Sequence, residues 1–151
     1  MRDELIIERA MEFDHAAIVV LLKKVGLPPD GIKPHLENFL IIRHSEAVAG
    51  PEFLIGLVGI EVYSESALLR SLAIHPDYQG LGLGTRLVDS IIEVAKGMSV
   101  NRLFLLTDTA EEYFKKKGFI NVTRDQVPNE MKQSVEFTTL CTSSPSLMLE
   151  I

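Results

Sequence analysis

Residues 75–88, HPDYQGLGLGTRLV, decide the fold of this chain. Three alternating glycines, Gly80, Gly82 and Gly84, separate the apolar run RSLAI from the segment TRLVDSIIEVAKG. The first run is typical of a buried strand, whereas the second has apolar residues at helical spacing and ends at Gly97. The sequence therefore predicts a strand, a tight glycine turn and then the N-terminus of a helix.

A glycine turn at a helix N-terminus favours an anion-binding site. The first turn of a helix has N–H groups without an intrahelical acceptor, and it carries a partial positive charge. Glycines let the backbone approach a bulky anion closely and adopt positive φ. Gly80, Gly82 and Gly84 lie beside the hydroxyl of Thr85, and we infer a phosphate or pyrophosphate site. The alternative is a tight turn without a ligand.

Two common phosphate-binding motifs do not fit this turn. A P-loop requires a lysine between its last glycine and a Ser or Thr, but Thr85 follows Gly84 directly. A dinucleotide site requires G-x-G-x-x-G after the first strand of a βαβ unit, whereas this turn is G-x-G-x-G in mid-chain.

The composition is that of a globular protein with one domain, residues 1–151. A hydrophobic fraction of 46% is ordinary for such a chain, and no apolar run reaches the length of about 18 residues that a membrane span needs. The net charge of −6 argues against nucleic-acid and acidic-membrane partners. The acidic N-terminal segment does not resemble a signal peptide, and we expect a cytoplasmic protein.

Metal binding and disulfide chemistry are not expected. Cys141 is the single cysteine, which leaves no disulfide within the chain, and we interpret it as a core residue of the C-terminal tail. The four histidines lack H-E-x-x-H spacing, so we expect no metal site.

The order of predicted elements indicates an α/β domain with a mixed sheet. A first strand at Leu5–Ala10 precedes a helix that Asp14 caps, and three strands follow with a hairpin near residue 65. Strands and helices then alternate, with Thr109 as the predicted N-cap of a short helix. The tail is mixed, and SLMLEI ends the chain as a strand.

The stretch HPDYQGLGLGTRLV resembles the acetyl-CoA-binding motif of the GNAT N-acetyltransferases. The signature of that family is Q/R-x-x-G-x-G/A, which Gln79, Gly82 and Gly84 match. The element order and the segment EEYFKKKGF, with its ending Gly118-Phe119, extend the resemblance over nearly the whole chain. The resemblance implies an α/β (α+β) fold whose mixed, mostly antiparallel central sheet is flanked by helices and splayed between strands 4 and 5.

The resemblance also implies acetyl-CoA as the cofactor and the primary amine of a small molecule as the acceptor. The pyrophosphate would contact the residues of the glycine turn, which are Gln79, Gly80, Leu81, Gly82, Leu83, Gly84 and Thr85. The pantetheine arm would run along Leu72, Ala73 and Ile74, with a backbone N–H near Ala73 as the oxyanion donor. A homodimer is common in the family.

Acetyl transfer requires that an ammonium group lose a proton. Glu61, in the strand segment GLVGIEVY, is the best candidate base, and its alternative is a charge on the exposed face of the sheet. Phe114 stands where many family members have a tyrosine as the general acid, and Thr107 stands where the family has an asparagine.

A narrower resemblance is to the acetyltransferases of arsenic-resistance operons, which carry LLRS, LLTxTAE and a tail with EFxxLC. It implies an anionic amino acid analogue with a phosphinyl or arsenical group as substrate. Arg70, in an otherwise apolar strand, would bind that anion, with Thr107 and Thr109 as hydroxyl donors. The alternative for Arg70 is an internal salt bridge to Glu61.

Two other functions remain open at this point. A non-catalytic acyl-CoA-binding module would also keep the glycine turn, and Phe114 supports it. Acetylation of a protein N-terminus or lysine is the other possibility.

Overall fold

The computed structural model describes residues 5–44, 54–140 and 143–151 of the chain. The strands are β1 Ile7–Arg9, β2 Phe39–Arg43, β3 Leu54–Tyr63, β4 Ser66–Ile74, β5 Arg102–Leu106, β6 Ile120–Val122 and β7 Ser146–Glu150. The α-helices are α1 His15–Lys24, α2 Leu83–Gly97 and α3 Glu111–Lys116.

The seven strands form one sheet in the order β1-β2-β3-β4-β5-β7-β6. The pairs β1–β2, β2–β3, β5–β7 and β6–β7 are antiparallel, whereas β4 and β5 are parallel. Ser66–Leu68 of β4 pairs with Arg102–Phe104 of β5, and β4 continues to Ile74. The parallel pair therefore lies at the predicted splay, and the prediction of a mixed, mostly antiparallel sheet is confirmed.

The chain divides into two compact units, and β3 and β4 each contribute to both. Unit 1 contains residues 1–60 and 71–93, and unit 2 contains residues 61–70 and 94–151. The prediction of a single domain over residues 1–151 stays a prediction.

The core of unit 1 forms where α1 packs on β2 and β3. Ile18 and Leu22 of α1 are fully buried with Ile41 and Leu57 of the strands. Burial of such side chains contributes about 1.5–3 kcal/mol each to stability. Strand β3 is buried on both faces in its first eight residues, which explains why its sequence does not alternate.

The core of unit 2 contains residues from the last part of the sheet and from the tail. Leu68 and Phe104 pack with Val127, Met131 and Phe137. The tail, which the sequence predicted only as mixed, contains two short 3₁₀ segments and a π-helical turn, Glu136–Leu140. π-helical turns are rare and occur frequently at functional sites.

Several predicted boundaries shift by one or two residues. The first strand is shorter than predicted, and α2 begins at Leu83 rather than at Thr85, so that Gly84 belongs to the helix. The predicted N-cap role of Thr109 is wrong, because Ala110 occupies that position. The Thr107 hydroxyl instead accepts a hydrogen bond of 2.9 Å from the Ala110 N–H. The predicted turn at 46–52 and Cys141 lie outside the described residues.

Asp14 occupies the predicted N-cap position of α1, but its side chain makes other contacts. Its carboxylate accepts a hydrogen bond from the Met11 N–H and forms an ion pair of 2.8 Å with Arg43. These two contacts explain why a fully buried aspartate is tolerated at this point.

Candidate active site

The glycine turn lies in unit 1, between β4 and α2. Gly80 has φ of 82° and Gly82 has φ of 81°, a left-handed conformation that side-chain-bearing residues rarely adopt. A Cβ added at Gly80, Gly82 or Gly84 would meet no atom within 4 Å. The alternating glycines therefore leave the backbone of the turn open and are not required by tight packing.

This surface fits a bound pyrophosphate. Helix α2 has 15 residues and no acidic residue in its first turn, so its positive end faces no nearby carboxylate of its own. A backbone hydrogen bond of 3.2 Å runs from the Arg86 N–H to the Gly82 carbonyl at the start of this helix. Backbone N–H groups in the first turn of a helix are the ones that bind phosphate.

Side chains on either side of the turn fix its backbone. The Gln79 amide donates a hydrogen bond of 3.0 Å to the Ile74 carbonyl at the end of β4. The His75 Nδ1 accepts one of 3.1 Å from the Asp77 N–H. The signature glutamine thus connects the turn to the strand, and the His75 side chain fixes the backbone at Asp77.

Backbone strain occurs in β4 directly before Leu72, Ala73 and Ile74. Ser71 has φ of 65°, which costs a residue with a side chain about 1–2 kcal/mol. Such strain clusters at ligand sites. The sequence shows no signal for it, because serine is not the residue that a positive φ usually selects.

Glu61 lies in unit 2, inside the protein. Glu61 is only 1% exposed, so the alternative, in which its charge lies on the exposed face of the sheet, is wrong. One carboxylate oxygen accepts a hydrogen bond of 2.5 Å from the Tyr63 hydroxyl, and the other accepts one of 2.8 Å from Arg70.

Arg70 forms the internal ion pair that its sequence context left open. Its Nη1 lies 2.8 Å from Glu61 Oε2, and its Nη2 lies 3.3 Å from Glu136 Oε2. The side chain is 0% exposed. The role of Arg70 in substrate binding stays a prediction, and any anion would have to compete with two carboxylates for the guanidinium.

Tyr63, Ser134 and Glu136 are the site residues that sequence reasoning missed. Burial, followed by the hydrogen bond and charge of Glu61, raises the pKa of Tyr63, and a hydrogen bond with Ser134 acts in the opposite direction. Tyr63 had a detectable signal, because it lies two residues after Glu61 on the same face of β3. Ser134 and Glu136 lie in the tail, where no periodicity locates them.

The residues around α3 have mainly structural contacts. Phe114 is buried, and its ring centroid lies 5.4 Å from that of Phe119. A phenylalanine at this position therefore packs in the core of unit 2. Thr107 is partly exposed and Thr109 is exposed, and their predicted role as substrate donors stays a prediction.

Both the sequence and the fold of this chain match those of known proteins. The profile of the acetyltransferase (GNAT) family matches residues 22–119, well over half of the chain. The chain belongs to the acetyltransferase (GNAT) family. Members of this family are acetyltransferases, so the predicted enzyme class, an acyltransferase, is confirmed at the level of the family. The predicted cofactor, acetyl-CoA, is confirmed at the same level.

Curated relatives of this GNAT chain include amino-acid acetyltransferases. One from Neisseria meningitidis (strain Z2491) is 28% identical over 124 residues, covering 78% of this chain and 27% of the relative. One from Aeromonas salmonicida is 26% identical over 145 residues, covering 87% of this chain and 33% of the relative. The chain thus spans a third or less of the length of these two relatives.

Solved structures support the GNAT fold. An N-acetylglutamate synthase from Neisseria gonorrhoeae, complexed with coenzyme A and N-acetyl-glutamate, superposes with a TM-score of 0.80 at 24% identity, covering 97% of this chain and 35% of that one. Rv2747 from Mycobacterium tuberculosis, in complex with CoA, gives a TM-score of 0.76 at 21% identity and covers 97% of this chain and 99% of that one.

Two features are absent from the described part of the chain. Among residues 5–44, 54–140 and 143–151, no helix has the length and apolarity to cross a membrane. Within the same ranges, no group of three or more His, Cys, Asp or Glu residues is arranged to hold a metal ion.

Proposed function

We propose that this chain transfers the acetyl group of acetyl-CoA to the primary amine of a small molecule, namely an amino acid or an amino acid analogue. One observation carries the proposal. In a member of the GNAT family, the backbone at the start of α2 has positive φ at Gly80 and Gly82 and open space where side chains would otherwise lie. That surface suits the pyrophosphate of a coenzyme.

The residues of unit 1 would bind and orient the coenzyme. The backbone N–H groups from Gly80 to Thr85 would bind the pyrophosphate, with Gln79 holding the turn against the end of β4. The backbone of Leu72, Ala73 and Ile74 would bind the pantetheine arm, and the N–H near Ala73 would stabilise the developing oxyanion. Bound acetyl-CoA supplies an activated acetyl group.

Unit 2 would supply the proton chemistry. Glu61 is the candidate base, and its hydrogen bonds to Tyr63 and Arg70 fix the carboxylate in one orientation. Phe114 has no proton to donate, so the leaving thiolate would depart without a general acid at this position. A thiolate is a good leaving group, so its departure does not require a general acid.

An amino acid acceptor is supported by the relatives named amino-acid acetyltransferases. The motifs LLRS and LLTxTAE support a finer proposal, in which the acceptor is an amino acid analogue with a phosphinyl or arsenical group. Arg70, Thr107 and Thr109 are the candidates for contacts with its anionic group. An anion would bind Arg70 by displacing Glu136, whose contact of 3.3 Å is the longer of the two ion pairs.

Release of free thiol from acetyl-CoA across a panel of acceptors tests the proposal. The panel contains L-glutamate, its phosphinyl analogue, L-glutamine, a simple alkylamine and a peptide with a free N-terminus. We expect turnover with amino acids and a lower KM for the two anionic ones than for L-glutamine.

Each alternative has its own outcome in this panel. Binding of acetyl-CoA without thiol release for any acceptor would indicate a non-catalytic module. Preferred turnover of the peptide would indicate a protein acetyltransferase. Equal KM values for glutamate and glutamine would contradict the preference for anionic acceptors and leave the proposed acetyl transfer to amino acids unchanged.

A further inference from the structure

Five residues of unit 2 are linked by hydrogen bonds and ion pairs. The Tyr63 hydroxyl donates to Glu61, Arg70 bridges Glu61 and Glu136, and the Glu136 N–H donates a hydrogen bond of 3.2 Å to the Ser134 hydroxyl. We call these residues the buried network. Hydrogen bonds in a chain of poorly hydrated groups polarise and fix one another.

The two oxygens of the Glu61 carboxylate have different partners. Oε2 lies 2.8 Å from Arg70 Nη1, whose other terminal nitrogen, Nη2, lies 3.3 Å from Glu136 Oε2. Oε1 accepts the hydrogen bond from the Tyr63 hydroxyl. Oε1 is therefore the oxygen to which a proton from Tyr63 can pass.

Tyr63 is the member through which a proton can enter. The Glu61 side chain is 2% exposed and that of Arg70 is 0% exposed, whereas Tyr63 is only half-buried. The phenol donates its single proton to Glu61, so its oxygen can act only as an acceptor toward any further donor. A base as deeply buried as Glu61 needs such an intermediary to exchange protons.

We propose that Tyr63 is the proton relay of the acetyl transfer, and this inference rests on the proposed function. The Tyr63 oxygen accepts a proton from the ammonium of the acceptor while its own proton passes to Glu61 Oε1. One N–H and one O–H bond break, and two O–H bonds form, so the acceptor nitrogen keeps the lone pair that attacks the acetyl carbonyl. The second nitrogen proton goes to the leaving thiolate, and the proton on Glu61 returns to solvent through Tyr63. Arg70, Glu136 and Ser134 are positioning residues.

The substitution Tyr63→Phe tests the relay, because it removes the hydroxyl and keeps the aromatic ring that packs in the core of unit 2. We expect kcat to fall on the order of 10²-fold for an acceptor whose amine is protonated at the assay pH, with KM for acetyl-CoA unchanged. The defect should shrink as the pH rises through the pKa of the acceptor amine. An amine that is already neutral needs no relay.

The charged groups near Tyr63 could also shape that pH profile. Glu61, Arg70 and Glu136 belong to the buried network itself. The other elements packed in the core of unit 2 carry further charged residues, which are Arg102, Arg124, Asp125, Lys132 and Glu150. Comparison of two acceptors with different amine pKa values separates these contributions, because only the relay predicts a defect that follows the acceptor.

Tyr113→Phe is the matched control, since it removes a hydroxyl from α3, where the Tyr113 ring contacts Phe114. We expect it to retain wild-type kcat. Glu61→Gln should reproduce the acceptor-dependent defect, and the double variant Tyr63→Phe/Glu61→Gln should lose no more activity than Glu61→Gln alone.

Equal losses for neutral and protonated amines, or additive losses in the double variant, would overturn the relay. So would wild-type kcat in Tyr63→Phe. If Tyr63→Phe does not fold, Tyr63→Gln takes its place, because its side chain has no ionisable proton to pass on, and the same dependence of the defect on the acceptor amine is expected. An inactive wild-type chain would instead contradict the proposed function.

Discussion

The glycine turn and the buried network represent two different ways to build a site. The turn is formed by consecutive residues, Gly80 to Thr85, and it recognises its ligand through backbone groups. The buried network joins side chains from β3, β4 and the tail, and almost all of its polar atoms lie inside unit 2. One site is exposed and local in the sequence, and the other is buried and assembled by the fold.

The difference determines how each site responds to substitution. A backbone site is damaged only by changes of conformation or by added bulk, and such changes affect the ligand more than the fold. A network of buried charges loses stability when one member is removed, because the remaining charges lose a partner that the fold had placed beside them. Substitutions in the glycine turn should therefore mainly reduce ligand affinity, whereas substitutions in the buried network should mainly reduce stability.

The largest effect is expected for Arg70→Met. The substitution leaves Glu61 and Glu136 buried near each other without the guanidinium that both contact. Removal of one partner from a buried ion pair typically costs about 3–5 kcal/mol. We expect a loss of this size in the free energy of unfolding, measured by urea denaturation.

Arg102→Met is the matched control for that measurement. Arg102 lies 3.7 Å from Glu150, and the two side chains are 56% and 69% exposed. Exposed pairs contribute roughly 0–1 kcal/mol, so the same change should have little effect here. A loss below about 1 kcal/mol for Arg70→Met would mean that the buried network does not contribute to stability in the way its geometry suggests.

A smaller effect, on ligand affinity, is expected for Gly82→Val. A branched side chain is strained at φ of 81°, and it would occupy the open space beside the backbone of the turn. Loss of one or two charge-assisted hydrogen bonds corresponds to roughly 10–100-fold in affinity. Calorimetry with coenzyme A should show this increase in Kd.

Gly26→Val separates ligand exclusion from backbone strain. Gly26 has φ of 80° and, like Gly82, has no atom within 4 Å of an added Cβ, but it lies after the end of α1. Both variants should lose similar stability, about 1–2 kcal/mol. Only Gly82→Val should lose affinity, and equal Kd values in the two variants would refute the assignment of the turn.

The same contrast explains what the sequence could predict. The glycine spacing, Gln79 and the apolar periodicity of α2 are local signals, and they located the turn and the helix to within two residues. The alternating order of strands and helices was sufficient for the class of fold, because each element carries its own period and its own terminating residues.

The buried network was only partly predictable. A charged residue in an apolar strand signals an unusual environment, which identified Glu61 and Arg70 and suggested their ion pair. The sequence could not distinguish a buried Glu61 from an exposed one, since that depends on what covers the strand. Ser134 and Glu136 reach the network only because the tail folds against β3 and β4 in unit 2, and the strain at Ser71 has no residue preference that would reveal it.

The smallest effect is expected from the ionisation of Tyr63 in alkali. Burial and the hydrogen bond to Glu61 raise the pKa of Tyr63 above the value of 10.0 for an unperturbed phenol. A raised pKa means that the protonated form is favoured in the folded state. The corresponding stability is therefore fully present below pH 10.0 and is lost as the pH rises toward the folded-state pKa, because only the unfolded chain gains from ionisation.

Tyr63 is partly exposed, so solvent limits the size of this contribution to stability. We expect the stability difference between the wild type and Tyr63→Phe in urea to shrink above pH 10.0, and the phenolate absorbance that Tyr63→Phe removes to appear above pH 10.0 in the wild type. If that absorbance appears at or below pH 10.0, or if the stability difference does not change with pH, the hydrogen bond from Tyr63 to Glu61 is not maintained in solution. The buried network would then be open at the residue through which the relay must pass.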